Sequence, residues 1–202
     1  MKNLLLTVLL IAFSTSISNA YDFSNKQLAP INYNLTLSSE VKNLISQINP
    51  DFFQDEQAEI KFRFQIYFAV ENILKSNGIN ILPYQCFEPK SSTDKYGFPK
   101  ITASRAVKTG VSNFYFKIDI ALALEKPIEN EKGNLLVKME IIPYKTPSII
   151  PMERIDTETS HEITIDHKFT YGLSNFNEPS NTSLLSAINA TAEKLSKIMT
   201  QK

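Results

Sequence analysis

One cysteine, Cys86, stands in a chain of 202 residues. No internal disulfide can form, so stability must come from core packing rather than covalent staples. Only two histidines occur, at 161 and 167, and no second cysteine is present to complete a metal-ligand pair. Five glycines leave no G-x-G-x-x-G and no P-loop, and neither G-x-S-x-G nor H-E-x-x-H occurs. No residue set therefore calls for a cofactor or a metal. Lys+Arg and Asp+Glu both number 21, so the formal net charge is zero, without the basic excess that marks nucleic-acid binders. No internal repeat and no low-complexity tract is present.

What is present is a core-forming composition, 43% hydrophobic, enough to exclude global disorder. Its first apolar run is not core. Lys2 precedes the stretch Leu4 to Phe13, and Ser18-Asn19-Ala20 follows with small residues. A positive start, a short apolar segment and a small-residue exit read as a secretory signal peptide cleaved after Ala20. A spanning helix needs about 20 apolar residues, and no later segment is that long. The expectation is residues 1–20 as signal peptide, 21–202 as a single domain, and no transmembrane segment after cleavage.

The clearest periodicity lies in Phe114 to Leu124. Phe114, Phe116, Ile118, Ile120, Leu122 and Leu124 alternate with Tyr115, Lys117, Asp119, Ala121 and Ala123, the period of a strand with one buried face. Asn134 to Tyr144 and Glu162 to Tyr171 repeat the pattern and complete a three-strand antiparallel meander. Its second face carries Lys117, Asp119, Lys138, Glu140, Asp166 and Lys168 and reads as wet, with mixed signs able to pair across strands. Upstream, Tyr21 to Pro30 reads as a loose lead and Ile31 to Leu37 as a first strand. Glu40 to Ile48 has helical spacing, with a continued strand as the competing reading. Gln57 to Ser76 is the strongest helix, its stripe formed by Ile60, Phe64, Tyr67, Phe68, Val70, Ile73 and Leu74. Asn77-Gly78 stops it, and Ile79 to Pro83 follows as a short strand. Ala103 to Thr109 reads as a short helix, and a last helix starts at a cap on Thr182 or Ser183 and runs to about Thr200. The fold class is α+β: a two-layer domain with a mixed sheet, one face covered by helices.

Two long loops stand out, Tyr84 to Lys100 and Lys145 to Ser160, and long loops in compact domains are often functional. Tyr96, Phe98 and Lys100 around Gly97 and Pro99 suit a recognition loop; the competing reading tucks both aromatics beneath the loop to hold it down. Ile149, Ile150 and Met152 form either a docking patch or a flap folded back on the sheet. Catalytic readings are poorer. His161 and His167, six apart on one strand, stand roughly 20 Å from each other. Asp55, Glu56 and Glu59 are explained by the N-terminus of their helix. Cys86 reads as a small buried hydrophobe. Asn34-Leu-Thr36, Asn181-Thr-Ser183 and Asn189-Ala-Thr191 match the glycosylation acceptor, the third inside a helix.

Two stretches carry a resemblance. Residues 57 to 83, a long helix ending at Asn77-Gly78 before Ile79-Asn-Ile-Leu-Pro83, and residues 103 to 124, a short helix and Gly110 leading into a strand, are similar to small periplasmic α/β domains. These are the N-terminal domain of TolB and the outer-membrane lipoprotein activators of peptidoglycan synthases. The chain departs from the activators in lacking a lipid-anchor cysteine and from TolB in lacking a propeller. The resemblance implies a non-enzymatic binding or assembly role in the bacterial cell envelope, with an envelope protein as partner. Two other classes stay open: a small secreted hydrolase with an unrecognised site, and a structural, oligomer-forming subunit that pairs through a sheet edge.

Overall fold

The computed structural model describes residues 22–83, 93–125, 132–146, 150–164 and 184–201. Its sheet is mixed and six-stranded. Strand β1 (Gln27–Leu37) lies between β2 (Asn80–Ile81) and β3 (Phe114–Leu124), parallel to both. β3 runs antiparallel to β4 (Lys132–Lys145). One edge of β4 is shared by β5 (Ile150–Pro151) and β6 (Ile155–Thr164). Helices α1 (Ser39–Ile48), α2 (Glu56–Ser76), α3 (Ala103–Thr109) and α4 (Leu184–Thr200) complete the described elements.

The alternation in β3 becomes two faces. Phe116, Ile118, Ile120 and Leu122 are buried in one cluster with Tyr33, Leu35 and Leu37 of β1 and with Leu135, Val137, Met139 and Ile141 of β4. α2 and α4 close that cluster with Phe62, Ile66, Val70 and Leu74, and with Ile188, Ala192, Leu195 and Met199. The buried side of α2 is thus rotated from the expected stripe. The i, i+4 series Phe62, Ile66, Val70 and Leu74 faces the sheet, while Phe68 is 40% exposed. An aromatic-rich helix offers two apolar faces, and the sheet chose between them.

Local chemistry sets the helix ends. The Ser38 hydroxyl accepts the Val41 N–H at 3.3 Å, and the Asp55 carboxylate accepts those of Gln57 and Ala58 at 3.0 and 3.2 Å. These caps resolve Glu40 to Ile48 in favour of a helix. α3 ends at Gly110 with φ of 65°, a left-handed conformation that costs glycine least.

Several expectations are corrected. The lead Tyr21 to Pro30 is not loose from Gln27 onward: Leu28, Ala29 and Ile31 are buried within β1. An interior parallel strand covered on both faces has no alternation to read, and Pro30 sits at a register shift, where a ladder tolerates proline. The strand expected at Ile79 to Pro83 is two residues long. The last strand begins at Ile155, inside the stretch read as a loop, because its inward positions Thr157, Thr159 and His161 are polar. Ile165 to Tyr171, with Asp166, His167 and Lys168, lie outside the described residues, as do Cys86, residues 1–21, and the expected cap at Thr182 or Ser183.

The second face is only partly wet. α3 covers one end of it, burying Ala29, Ile31, Ile101, Ala106 and Tyr115 as a second small cluster. Beyond that, the register sets both kinds of neighbour side by side: Lys138 faces Glu158, a mixed pair, while an acidic row crosses the strands beside it. Asn34 faces Asp119, Asp119 faces Glu140, and Glu140 faces Asp156. Like charges directly opposite destabilise a ladder. Glu140, 6% exposed, is offset by an ion pair with Arg154, whose guanidinium folds in from the β5–β6 connection. Arg154→Ala leaves Glu140 between two acids and is expected to cost about 1–2 kcal/mol. In a Glu140→Gln background that cost should largely vanish in urea unfolding; an equal cost in both backgrounds would show the pair contributes nothing.

Candidate functional site

The segment 93–100 is a turn clamped onto α2. One oxygen of Asp94 accepts the amide N–H groups of Tyr96 and Phe98, each at 2.9 Å. The Asp94 N–H donates to the Phe98 carbonyl at 2.8 Å, and Thr93 and Pro99 close the turn as an antiparallel bridge. Gly97 takes φ of 89°, which residues with a Cβ rarely adopt. The sequence places Phe98 beside this turn, and its ring packs against Phe64 at 4.2 Å, Tyr33 at 4.4 Å and Tyr67 at 5.4 Å between centroids. Phe98 is fully buried. It is corrected from a partner contact to the anchor of the loop, because an aromatic pocket from β1 and α2 receives it.

Tyr96 is half-buried and tied down as well. Its hydroxyl donates to Glu59 Oε1 at 2.8 Å, and the Arg63 guanidinium lies 3.9 Å from its ring centroid. Arg63 donates twice to Glu59, from Nε at 3.0 Å and Nη2 at 2.7 Å, and once to the Leu35 carbonyl at 3.0 Å. Burial raises the Glu59 pKa, but hydrogen bonds from Arg63 and Tyr96 and the charges of Arg63 and Lys95 outweigh it, so the carboxyl lies below its ordinary value. Burial also holds the Tyr33 phenol well above its usual pKa. Tyr33 donates to the Arg63 carbonyl at 3.3 Å, linking strand, helix and loop. Arg63 was not singled out from the sequence, although its i, i+4 spacing from Glu59 was the available signal.

What the loop presents is Lys95 and Lys100, both exposed. Lys100 pairs with Asn32 on the edge of β1. Together with Asn34, Asp94, Pro99 and Asp119 it lines an open polar cleft of about 300 Å³. Asn32, Asn34 and Asp119 belong to three outward positions on two strands; only the β1–β3 register brings them together.

The other candidate loop divides. Ile149 lies outside the described residues. Ile150 is 63% exposed on β5, opposite Lys145. Met152 is half-buried against the main core, its N–H donating to the Pro143 carbonyl at 2.7 Å. The flap therefore folds back on the sheet with Ile150 left outward. Lys100 and Ile150 stand on opposite edges of the sheet, about 15–20 Å apart at the usual strand spacing, so the two loops form two surfaces and not one.

His161 sits inside β6 with Nε2 at 2.8 Å from the Thr159 hydroxyl and 3.4 Å from that of Thr191. Thr159 and Thr191 are themselves in contact, and Thr191 donates to the Ala187 carbonyl at 2.9 Å. Donation from Nε2–H through Thr159 and Thr191 to Ala187 satisfies every hydroxyl and stitches β6 to α4. The two threonines were missed because they occupy positions where the pattern called for hydrophobes. Burial lowers the His161 pKa. Among the described residues no group of three or more His, Cys, Asp or Glu is arranged to hold a metal ion.

No family model matches the chain, and no curated protein matches it. Solved structures do. The hypothetical protein CT253 from Chlamydia trachomatis is 11% identical, with 87% of this chain and 94% of that chain covered at a TM-score of 0.47. The PelC dodecamer from Paraburkholderia phytofirmans is 7% identical, with 87% and 89% covered at 0.42. Lipoprotein GNA1162 from Neisseria meningitidis is 8% identical, with 85% and 99% covered at 0.41. A lipoprotein is thus among the similar structures, while TolB is not among those named. At these scores the likenesses carry no functional argument, and the reading below rests on the residues of this chain.

Two outcomes follow. Phe98→Ala empties a pocket of three rings and should cost about 3–5 kcal/mol, with residues 93–100 becoming the first site of limited proteolysis; unchanged cleavage would show that the ring does not hold the loop. For His161, a folded pKa below the ordinary value of about 6.5 means its contribution is fully present above that pH and is lost as pH falls through the lowered value. His161→Gln should therefore flatten the fall in urea midpoint between about pH 7 and 5. An unchanged slope would show that this histidine is not coupled to folding.

Proposed function

We propose that the chain is an exported, non-enzymatic binding or assembly module of the bacterial cell envelope, released by cleavage near Ala20, with an envelope protein as partner. The observation that carries this reading is the clamped loop. Asp94, Tyr96 and Phe98 use their polar groups and rings inward, fixing a turn whose exposed members, Lys95 and Lys100, border a polar cleft. A recognition loop held rigid on a sheet and helix loses little conformational entropy on binding. Lys95, Lys100 and Ile150 are the contacts assigned to partners; Tyr96, Phe98 and Met152 support them from beneath. Among the described residues no helix is long and apolar enough to cross a membrane.

The test is in-cell photo-crosslinking from residues introduced at Lys100 and Ile150, followed by mass spectrometry. The expected result is a defined envelope protein crosslinked from at least one position, with any crosslink from Lys100 lost in the Phe98→Ala background. Clean export with no crosslinked partner at either position would overturn the reading.

A further inference from the structure

The open cleft beside the clamped loop is lined by polar side chains that the fold leaves unspent. Asn32 and Asn34 of β1 form its floor, two residues apart on the outward face of the sheet. Asp119 of β3 stands beside Asn34 in the parallel ladder, and Lys100 stands opposite Asn32 on the other side. Asn32 and Asp119 are half-buried. Among the described residues neither side chain makes a hydrogen bond, and no ion pair includes Asp119 or Lys100. Asn34 donates once, to the Thr36 hydroxyl at 3.4 Å. Asp94, on the rim, spends one carboxylate oxygen on the loop's own amides. Polar groups half withdrawn from water and without a protein partner can exchange water for a ligand at little cost.

The lining decides what such a cleft can take. One base, Lys100, is set against Asp94 and Asp119, so neither a phosphate dianion nor a bare metal cation is matched. The next acid along the row, Glu140, is already matched by Arg154. Lys117, two residues before Asp119, lies over the Tyr144 ring at 5.5 Å. Tyr33 turns its ring into the core against Tyr67 and Phe98, so no ring face is offered for a sugar or a base to stack on. What fits is a ligand that carries one charge of each sign, with amide chemistry between them. Each asparagine offers an N–H donor and a carbonyl acceptor, the complement of a peptide group.

We infer that the cleft binds a small zwitterion of dipeptide length, its carboxylate at Lys100, its ammonium at Asp119 and its peptide group over Asn32 and Asn34. β1 separates Lys100 from Asp119, so their backbones stand roughly 10 Å apart at the usual strand spacing. The charges of a single amino acid are too close together to span that gap. The termini of a dipeptide stand about 7 Å apart at roughly 3.5 Å per residue, and the flexible lysine closes the remainder. A volume of about 300 Å³ lies at the lower end of small-ligand sites. The inference rests on the binding role proposed above for this face. Its test runs on the chain alone, without an envelope partner, so the two readings fail separately.

The test is an NMR titration of the isotope-labelled chain, as the cell processes it, with alanyl-alanine. Saturable shifts confined to residues around the cleft are expected, with half-saturation at about 1 mM, the range open to so small a ligand. N-acetyl-alanyl-alanine, alanyl-alanine amide and free alanine should each bind about tenfold more weakly, since each loses a charge-assisted contact. Asp119→Asn should erase the difference between the free and acetylated dipeptides, and Lys100→Gln the difference between acid and amide. Asp119→Asn also relieves a like-charge contact with Glu140, so its effect is not one of misfolding. No saturable shift up to about 20 mM overturns the inference, as does equal binding of free and capped dipeptides, or of alanine and alanyl-alanine. A chain that ignores the dipeptide yet crosslinks an envelope protein from Lys100 overturns it too and leaves the partner reading standing. Dipeptide binding without any crosslink upholds it and removes the partner reading alone.

Discussion

Strand β3 holds two ladders at once, parallel to β1 and antiparallel to β4, and every other feature takes its place from that strand. Its apolar face fixes which side of the sheet α2 and α4 must cover. Because side chains alternate, a slip of one residue in either ladder would turn Phe116, Ile118, Ile120 and Leu122 out of the core. The same register sets Asn34, Asp119, Glu140 and Asp156 in one row on the opposite face. Core and polar row are two consequences of one alignment. The apolar face fixes the register, and the acidic row is tolerated because Arg154 lies against Glu140.

The clamp on residues 93–100 shows how a loop gains the order of a secondary element. Asp94 replaces water at two backbone amides, Phe98 supplies buried apolar area, and Glu59 and Arg63 hold Tyr96 from α2. The polar partners are shared: Glu59 accepts from both Arg63 and Tyr96, and Tyr33 links β1 to the Arg63 carbonyl. Such networks specify one arrangement when all their members are satisfied. With its aromatics committed inward, the loop offers lysines outward, and the functional surface becomes charged rather than aromatic.

Much of the fold was legible. The alternation of β3 and β4, the acidic start and Asn-Gly stop of α2, the short helix before Gly110 and the closing helix depend on local spacing and capping, which a sequence displays directly. The candidate site was legible in part. The choice between Tyr96 and Phe98 as contacts or as anchors turned on whether α2 offered a pocket, which residues 93–100 do not encode. β6 was read seven residues late, its first part taken as a loop, because Thr157, Thr159 and His161 stand inward; Thr191, the partner of Thr159 and His161, lies across the molecule, on α4.

The sequence by itself determined the class of architecture, because period-two and period-3.6 patterns and capping residues act over a few neighbours. It also determined the absence of disulfides and the exclusion of the common catalytic motifs. Only the tertiary structure decided which face of α2 is buried, which outward residues share a row and which loops share an edge. Each of these depends on pairing between positions distant in the chain, from 16 residues for Glu140 and Asp156 to 85 for Asn34 and Asp119. Their alignment is set by the competition of whole faces for burial, so no local stretch of sequence carries it.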